Sequence, residues 1–136
     1  MAPVRRLAGR NVRADREIAD CAPTQRSVVE FDRYQELAGR TSPSGRPAIE
    51  RLTNGALGLT GEAGEVVELV KKHRYHGHPL DLEAMTKEIG DVLWYVAELC
   101  TAVGLSMGTV AQHNVDKLRA RYPEGFSSEA SLERPD

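Results

Sequence analysis

The 136-residue sequence predicts an all-α protein. Three observations carry that expectation. No segment alternates polar and apolar residues with period two, the mark of a half-buried strand. Two long stretches repeat apolar residues with a helical period: Leu52, Ala56, Leu59, Ala63, Val66 and Val70, then Met85, Ile89, Val92, Val96, Leu99 and Val103. Glycine and proline punctuate the chain at Gly39, at T-S-P-S-G-R-P (41–47), at H-G-H-P (76–79), at Gly104 and at Pro123–Gly125.

Residues 1–28 carry Arg5, Arg6, Arg10, Arg13, Arg16 and Arg26 among scattered acids, without an apolar stripe. A poorly ordered, solvated arm is expected there, with a short helix near Val12–Cys21. A first helix is expected from Val29 to Ala38, with Gly39 as its stop. Pro47 suits the first turn of a second helix, reaching about His73. Asp81 can cap a third that ends near Val103, with Gly104 left-handed behind it. Ser106 can cap a fourth, reaching Arg121 before Pro123 and Gly125. The folded unit is then 29–126, a four-helix-bundle-like subunit, and 127–136 is expected to fray.

Bulk properties exclude several classes. The length suits one domain with one core. A formal net charge of −2 gives no general electrostatic case for nucleic acid. Cys21 and Cys100 are the only cysteines, fewer than a secreted disulfide scaffold uses, so two thiols in a reducing cytoplasm are expected. No run of about 18 apolar residues predicts a membrane span, and the N-terminus shows no signal-peptide core.

The most informative residues are acids. They form two pairs, Glu62 with Glu65 and Glu88 with Asp91, each at i, i+3 spacing and so on one side of a helix. On helical wheels both pairs sit at a similar offset from their apolar stripes, so packing the stripes together brings the acids together. The i+4 positions hold Val66, Leu69, Val92 and Tyr95, so no neighbouring cation neutralises either pair. Carboxylates crowded onto one spot need a cation between them to stay ionised. Hard oxygen ligands of this kind suit Mg²⁺, which retains waters and meets substrate phosphates. Helix two also holds Gly55, Gly58, Gly61 and Gly64, each costing about 1 kcal/mol relative to Ala, as though something approaches its backbone.

Helix four supplies the complementary charge. Asn114, Lys117 and Arg121 share one face, the edge a polyphosphate needs, and Lys72 can add a further cation. Tyr95 lies one turn beyond Asp91 on the acid edge and is placed to touch a substrate, whereas Trp94 points elsewhere and is expected at an interface. His73, His76 and His78 straddle a helix end without a nearby Cys, and a surface loop is the expected reading rather than a Zn site.

Three segments together, G-L-T-G-E-A-G-E-V (58–66), K-E-I-G-D-V-L-W-Y (87–95) and N-V-D-K-L-R-A-R-Y-P-E-G-F (114–126), resemble the MazG-type nucleoside triphosphate pyrophosphohydrolases, and Y-Q-E-L-A-G-R-T (34–41) fits as well. The resemblance spans about residues 30–126. It implies an all-α, Mg²⁺-dependent enzyme, with Mn²⁺ as a substitute ion, that forms dimers or tetramers. It implies cleavage between the α- and β-phosphates of a nucleoside triphosphate. Glu62, Glu65, Glu88 and Asp91 would be the metal ligands, and Asn114 and Lys117 the triphosphate ligands, with Arg121 assisting. One carboxylate, Glu65 or Glu62, would serve the attacking water. Phosphoribosyl-ATP and guanosine tetraphosphate hydrolysis on the same scaffold are the alternatives, and a non-catalytic helical nucleotide-binding protein is a third. Base preference is not legible.

Overall fold

In the computed structural model the described residues are 28–43 and 45–132. The expected arm, apart from Val28, lies outside them, as do its short helix and Cys21. The described chain is helical, with no strand: α1 Phe31–Ala38, α2 Ala48–His76, α3 Leu82–Ala102, α4 Met107–Arg121 and the short α5 Ser128–Leu132, with one 3₁₀ turn at Gly39–Thr41.

Local chemistry sets the boundaries. Helix α1 ends at Ala38 with Gly39 behind it, as expected; Gly39 is right-handed at φ −57° and opens a 3₁₀ turn. The break comes at Ser42, whose backbone is extended at φ −70°, ψ 139°, because Pro43 follows it and disfavours the helical region. Pro47 caps α2 rather than opening it, and the helix runs three residues past His73 before Gly77 ends it at φ 75°. The Asp81 carboxylate accepts the Ala84 N–H at 2.9 Å, and the Ser106 hydroxyl accepts the Thr109 N–H at 3.0 Å, so both expected caps form. Gly104 is left-handed at φ 73° and Gly125 at φ 93°. Part of the tail expected to fray is instead α5.

Helices α2 and α3 form an antiparallel hairpin, the largest contact in the fold. The stripe expected on α2 is rotated. Ala56 and Ala63 are exposed and Val70 is half exposed, whereas Gly55 is buried and Leu59, Glu62, Val66, Leu69 and His73 are half-buried. The covered positions follow a seven-residue repeat, as in a close helix pair. Glycine makes that register fit. A Cβ on Gly55 would stand 2.9 Å from Leu99 Cδ2, and the Tyr95 ring occupies the space a Cβ on Gly58 would need. The close approach expected at these two glycines is thus by α3 itself. Gly61 and Gly64 have open space above them.

The chain bends by 103° between α3 and α4. Helix α1 fills that corner and ties it. The Gln35 amide donates to Thr101 Oγ1 (3.0 Å) and Leu105 O (2.9 Å), and its oxygen accepts the Met107 N–H at 2.7 Å. The Asp32 carboxylate accepts the Gly108 N–H at 2.7 Å. Both acceptors satisfy amides at the start of α4, which have no partner inside the helix. The buried apolar core is small, Ala97, Cys100 and Met107, with Tyr34, Ala38 and Val96 packed around it. Among the described residues no single helix is long and apolar enough to cross a membrane.

Candidate metal centre

Antiparallel packing of α2 on α3 places Glu62 opposite the turn that carries Glu88 and Asp91. One carboxylate oxygen from each of these three residues lies within 4.8 Å of the others. Glu62 and Glu88 are half-buried and Asp91 is exposed, so the cluster sits at the rim of the seam. Two oxygens on one Mg²⁺ at about 2.1 Å stand no more than about 4.2 Å apart, so modest side-chain rotation closes the set. The donors are all carboxylate oxygen, without nitrogen or sulfur, which fits a hard divalent cation.

Electrostatics mark the same spot. Partial burial pushes the Glu62 carboxyl above its ordinary range, and the charges of Asp91, Glu88 and Glu65 push it further. Glu65 is exposed and stands outside the three-acid set, yet its charge reaches Glu62. Two of the four acids lie in the helix seam rather than beside it, because the seam is rotated from the expected stripe.

Trp94 is half-buried within the subunit: its indole N–H donates to Thr41 Oγ1 at 2.7 Å and its ring meets Tyr95 edge-on at 4.9 Å. Trp94 is therefore an internal strut that holds the connector after α1. Tyr95 packs over Gly58, one turn from Asp91.

Asn114 and Lys117 line a groove of about 500 Å³ with Phe31, Leu93, Val96 and Met107, and none of the four acids lines it. Within one subunit the helix-four pair and the carboxylates share no groove. Arg121 is half-buried at the end of α4, and Lys72 is engaged by Glu68 at 3.7 Å. His73 Nδ1 lies 3.0 Å from the His78 carbonyl oxygen, and among the described residues the histidines join no metal-spaced group.

Sequence reasoning missed one ion pair. Glu98 is 4% exposed, and its two oxygens accept from Arg51 Nε (2.7 Å) and Nη2 (2.9 Å). The Arg51 guanidinium also donates to Ser42 Oγ at 3.1 Å, so it joins the connector, α2 and α3. The hydrogen bond from Arg51 holds the Glu98 carboxyl below the usual carboxylate range despite burial. A signal existed: Glu98 is a lone acid inside the apolar run V-A-E-L-C (96–100), with Ala102 at i+4.

This geometry defines an all-α protein with three carboxylates, Glu62, Glu88 and Asp91, gathered closely enough to hold a metal ion. The comparisons agree with it. A profile of the MazG nucleotide pyrophosphohydrolase domain matches residues 51–126. The chain is 39% identical over 85 residues to the "Gene 37 protein" of Mycobacterium phage L5, an alignment covering 57% of this chain and 72% of that relative. The chain belongs to the MazG nucleotide pyrophosphohydrolase family. No solved structure matches it.

Proposed function

We propose that this protein is a Mg²⁺-dependent nucleoside triphosphate pyrophosphohydrolase that releases a nucleoside monophosphate and pyrophosphate. The observation that carries this reading is the meeting of Glu62, Glu88 and Asp91 oxygens within 4.8 Å at the rim of the α2–α3 seam. A Mg²⁺ ion held there, with Mn²⁺ able to replace it, would neutralise phosphate oxygens and make water a nucleophile near neutral pH.

The chain's own residues supply the rest. Glu62, Glu88 and Asp91 hold the cation and so fix the anhydride against the rim. Glu65 is the exposed acid beside them and accepts the proton of the attacking water. The new water–phosphorus bond forms as the α–β anhydride bond breaks, and the negative charge leaves on pyrophosphate. Tyr95 packs one turn from Asp91 and flanks the bound nucleotide.

Asn114 and Lys117 bind the triphosphate, with Arg121 beside them. Because none of the acids of the same chain lines their groove, we assign this role to a homo-oligomer, a tetramer or a dimer, in which helix four of one copy faces the acids of another. The small core supports that assembly. Leu57 is 71% exposed, Val67 64% and Phe126 75%, more apolar surface than a monomer of this size comfortably leaves in water. The test is a panel of nucleoside and deoxynucleoside triphosphates with Mg²⁺ and with EDTA, the products resolved by chromatography. Monophosphate plus pyrophosphate supports the reading; diphosphate plus orthophosphate contradicts it.

A further inference from the structure

Helix α1 reaches the acid-bearing turn of α3 through one side chain. The Tyr34 ring is half-buried and packs on the core of Ala97, Cys100 and Met107. Its hydroxyl donates to the carbonyl oxygen of Gly90 at 3.4 Å, a long bond. Gly90 lies between Glu88 and Asp91 in the sequence E-I-G-D. Burial raises the pKa of the Tyr34 hydroxyl, and the Asp91 charge raises it further.

The turn it touches has reason to need support. A helical Gly gives up about 1 kcal/mol relative to Ala, and packing does not require it here, since a Cβ on Gly90 would meet nothing within 4 Å. Gly90 thus lowers the intrinsic helix preference of the backbone that spaces the two α3 acids. The platform opposite is firm. Gln35, next to Tyr34, is bonded to Thr101, Leu105 and Met107, and Asp32 is bonded to Gly108. Neighbouring residues of α1 thus grip the α3–α4 corner while Tyr34 reaches about three turns back along α3.

We propose that Tyr34 is a positioning residue of the cation site: its hydroxyl, carried on α1, fixes the Gly90–Asp91 turn so that Asp91 meets Glu62 and Glu88. This rests on reading those acids as the cation ligands. Groups that orient metal ligands without touching the metal alter its affinity. A single neutral hydrogen bond to backbone sets the scale at about threefold to tenfold.

The test is Mn²⁺ binding to the full chain without nucleotide, by titration calorimetry, alongside thermal melting in EDTA. Tyr34→Phe keeps the ring and removes the hydroxyl. It should weaken Mn²⁺ by about threefold to tenfold and leave the EDTA melting temperature in place. Unchanged Mn²⁺ affinity, with or without a lower melting temperature, makes Tyr34 a packing residue and overturns the assignment. Gln35→Ala loosens the same helix and keeps the hydroxyl; an equal loss of affinity in that variant would show that only the docking of α1 matters, and overturns it too. Wild-type protein that binds no Mn²⁺ overturns the reading of the acids themselves. If wild type binds and Asp91→Asn does not, that reading stands whatever Tyr34→Phe does.

Discussion

Replacing Arg51 by methionine strands a carboxylate inside the protein. Glu98 is 4% exposed, and its hydrogen bonds to Arg51 are the short ones at 2.7 and 2.9 Å. Removing one partner of a buried ion pair costs about 3–5 kcal/mol, because the remaining charge keeps its desolvation penalty. Each kcal/mol shifts the melting temperature of a domain this size by about 4–8 °C, so Arg51→Met should lower it by at least about 12 °C. Replacing both residues by methionine removes the stranded charge and should restore most of that loss. Far-UV circular dichroism against temperature and urea, on wild type, both singles and the double, gives the coupling directly. The pH dependence supplies a sign. In wild type Glu98 is held low, so its stabilisation is present above the unfolded carboxylate pKa and is lost as pH falls through the folded value. In Arg51→Met the buried, unpaired carboxyl moves up instead, so that variant should gain stability from about pH 7 towards about pH 5. The reasoning fails if Arg51→Met costs less than about 1 kcal/mol, the scale of an exposed pair, or if the double variant is as unstable as the two singles summed.

Three further outcomes follow from the geometry. Saturating Mg²⁺ or Mn²⁺ should stabilise wild type, by about 2.7 kcal/mol at a hundredfold excess over Kd, and Asp91→Asn should remove the effect; equal stabilisation of the variant in thermal melts would mean the ion binds elsewhere. Gly58→Ala drives a Cβ into the Tyr95 ring and should cost about 1–3 kcal/mol, whereas Gly64→Ala, with open space above it, should gain up to about 1 kcal/mol; urea denaturation showing both of one sign would contradict the packing of the seam. Lys117→Ala should weaken triphosphate binding far more than nucleoside binding, and equal losses in a binding titration would remove Lys117 from the phosphate site.

What could be read without coordinates was local. Asp81, Ser106, Gly77 and Gly104 act through their own backbone and side chains, so their positions mark the helix ends from sequence. Spacing and wheel offset pointed Glu62, Glu65, Glu88 and Asp91 at one spot; the structure gathers Glu62, Glu88 and Asp91 and leaves Glu65 outside the set. The rest depends on contacts between distant segments. The glycines of α2 showed only that something approaches the backbone; nothing local reveals that Leu99 meets Gly55, that Tyr95 meets Gly58 and that Gly61 is open. That packing rotates α2, exposes Ala56 and Ala63, and draws Glu62 into the seam. The bond from Trp94 to Thr41 was not legible because the two lie 53 positions apart. Gly39 does end α1, as its position suggested; the 3₁₀ turn behind it was not legible, and Pro43, acting through Ser42, ends that turn.

The central claim is that the acids at the α2–α3 rim make a cation-dependent pyrophosphohydrolase. Pyrophosphate release from a nucleoside triphosphate tests it most directly, measured on wild type, Glu62→Gln, Glu88→Gln and Asp91→Asn, each with Mg²⁺ and with EDTA, while circular dichroism tracks helicity. The account predicts Mg²⁺-dependent release by wild type, none in EDTA, and near-complete loss in all three variants with helicity intact. Release that persists in EDTA, or that survives the loss of all three carboxylates together, would contradict it.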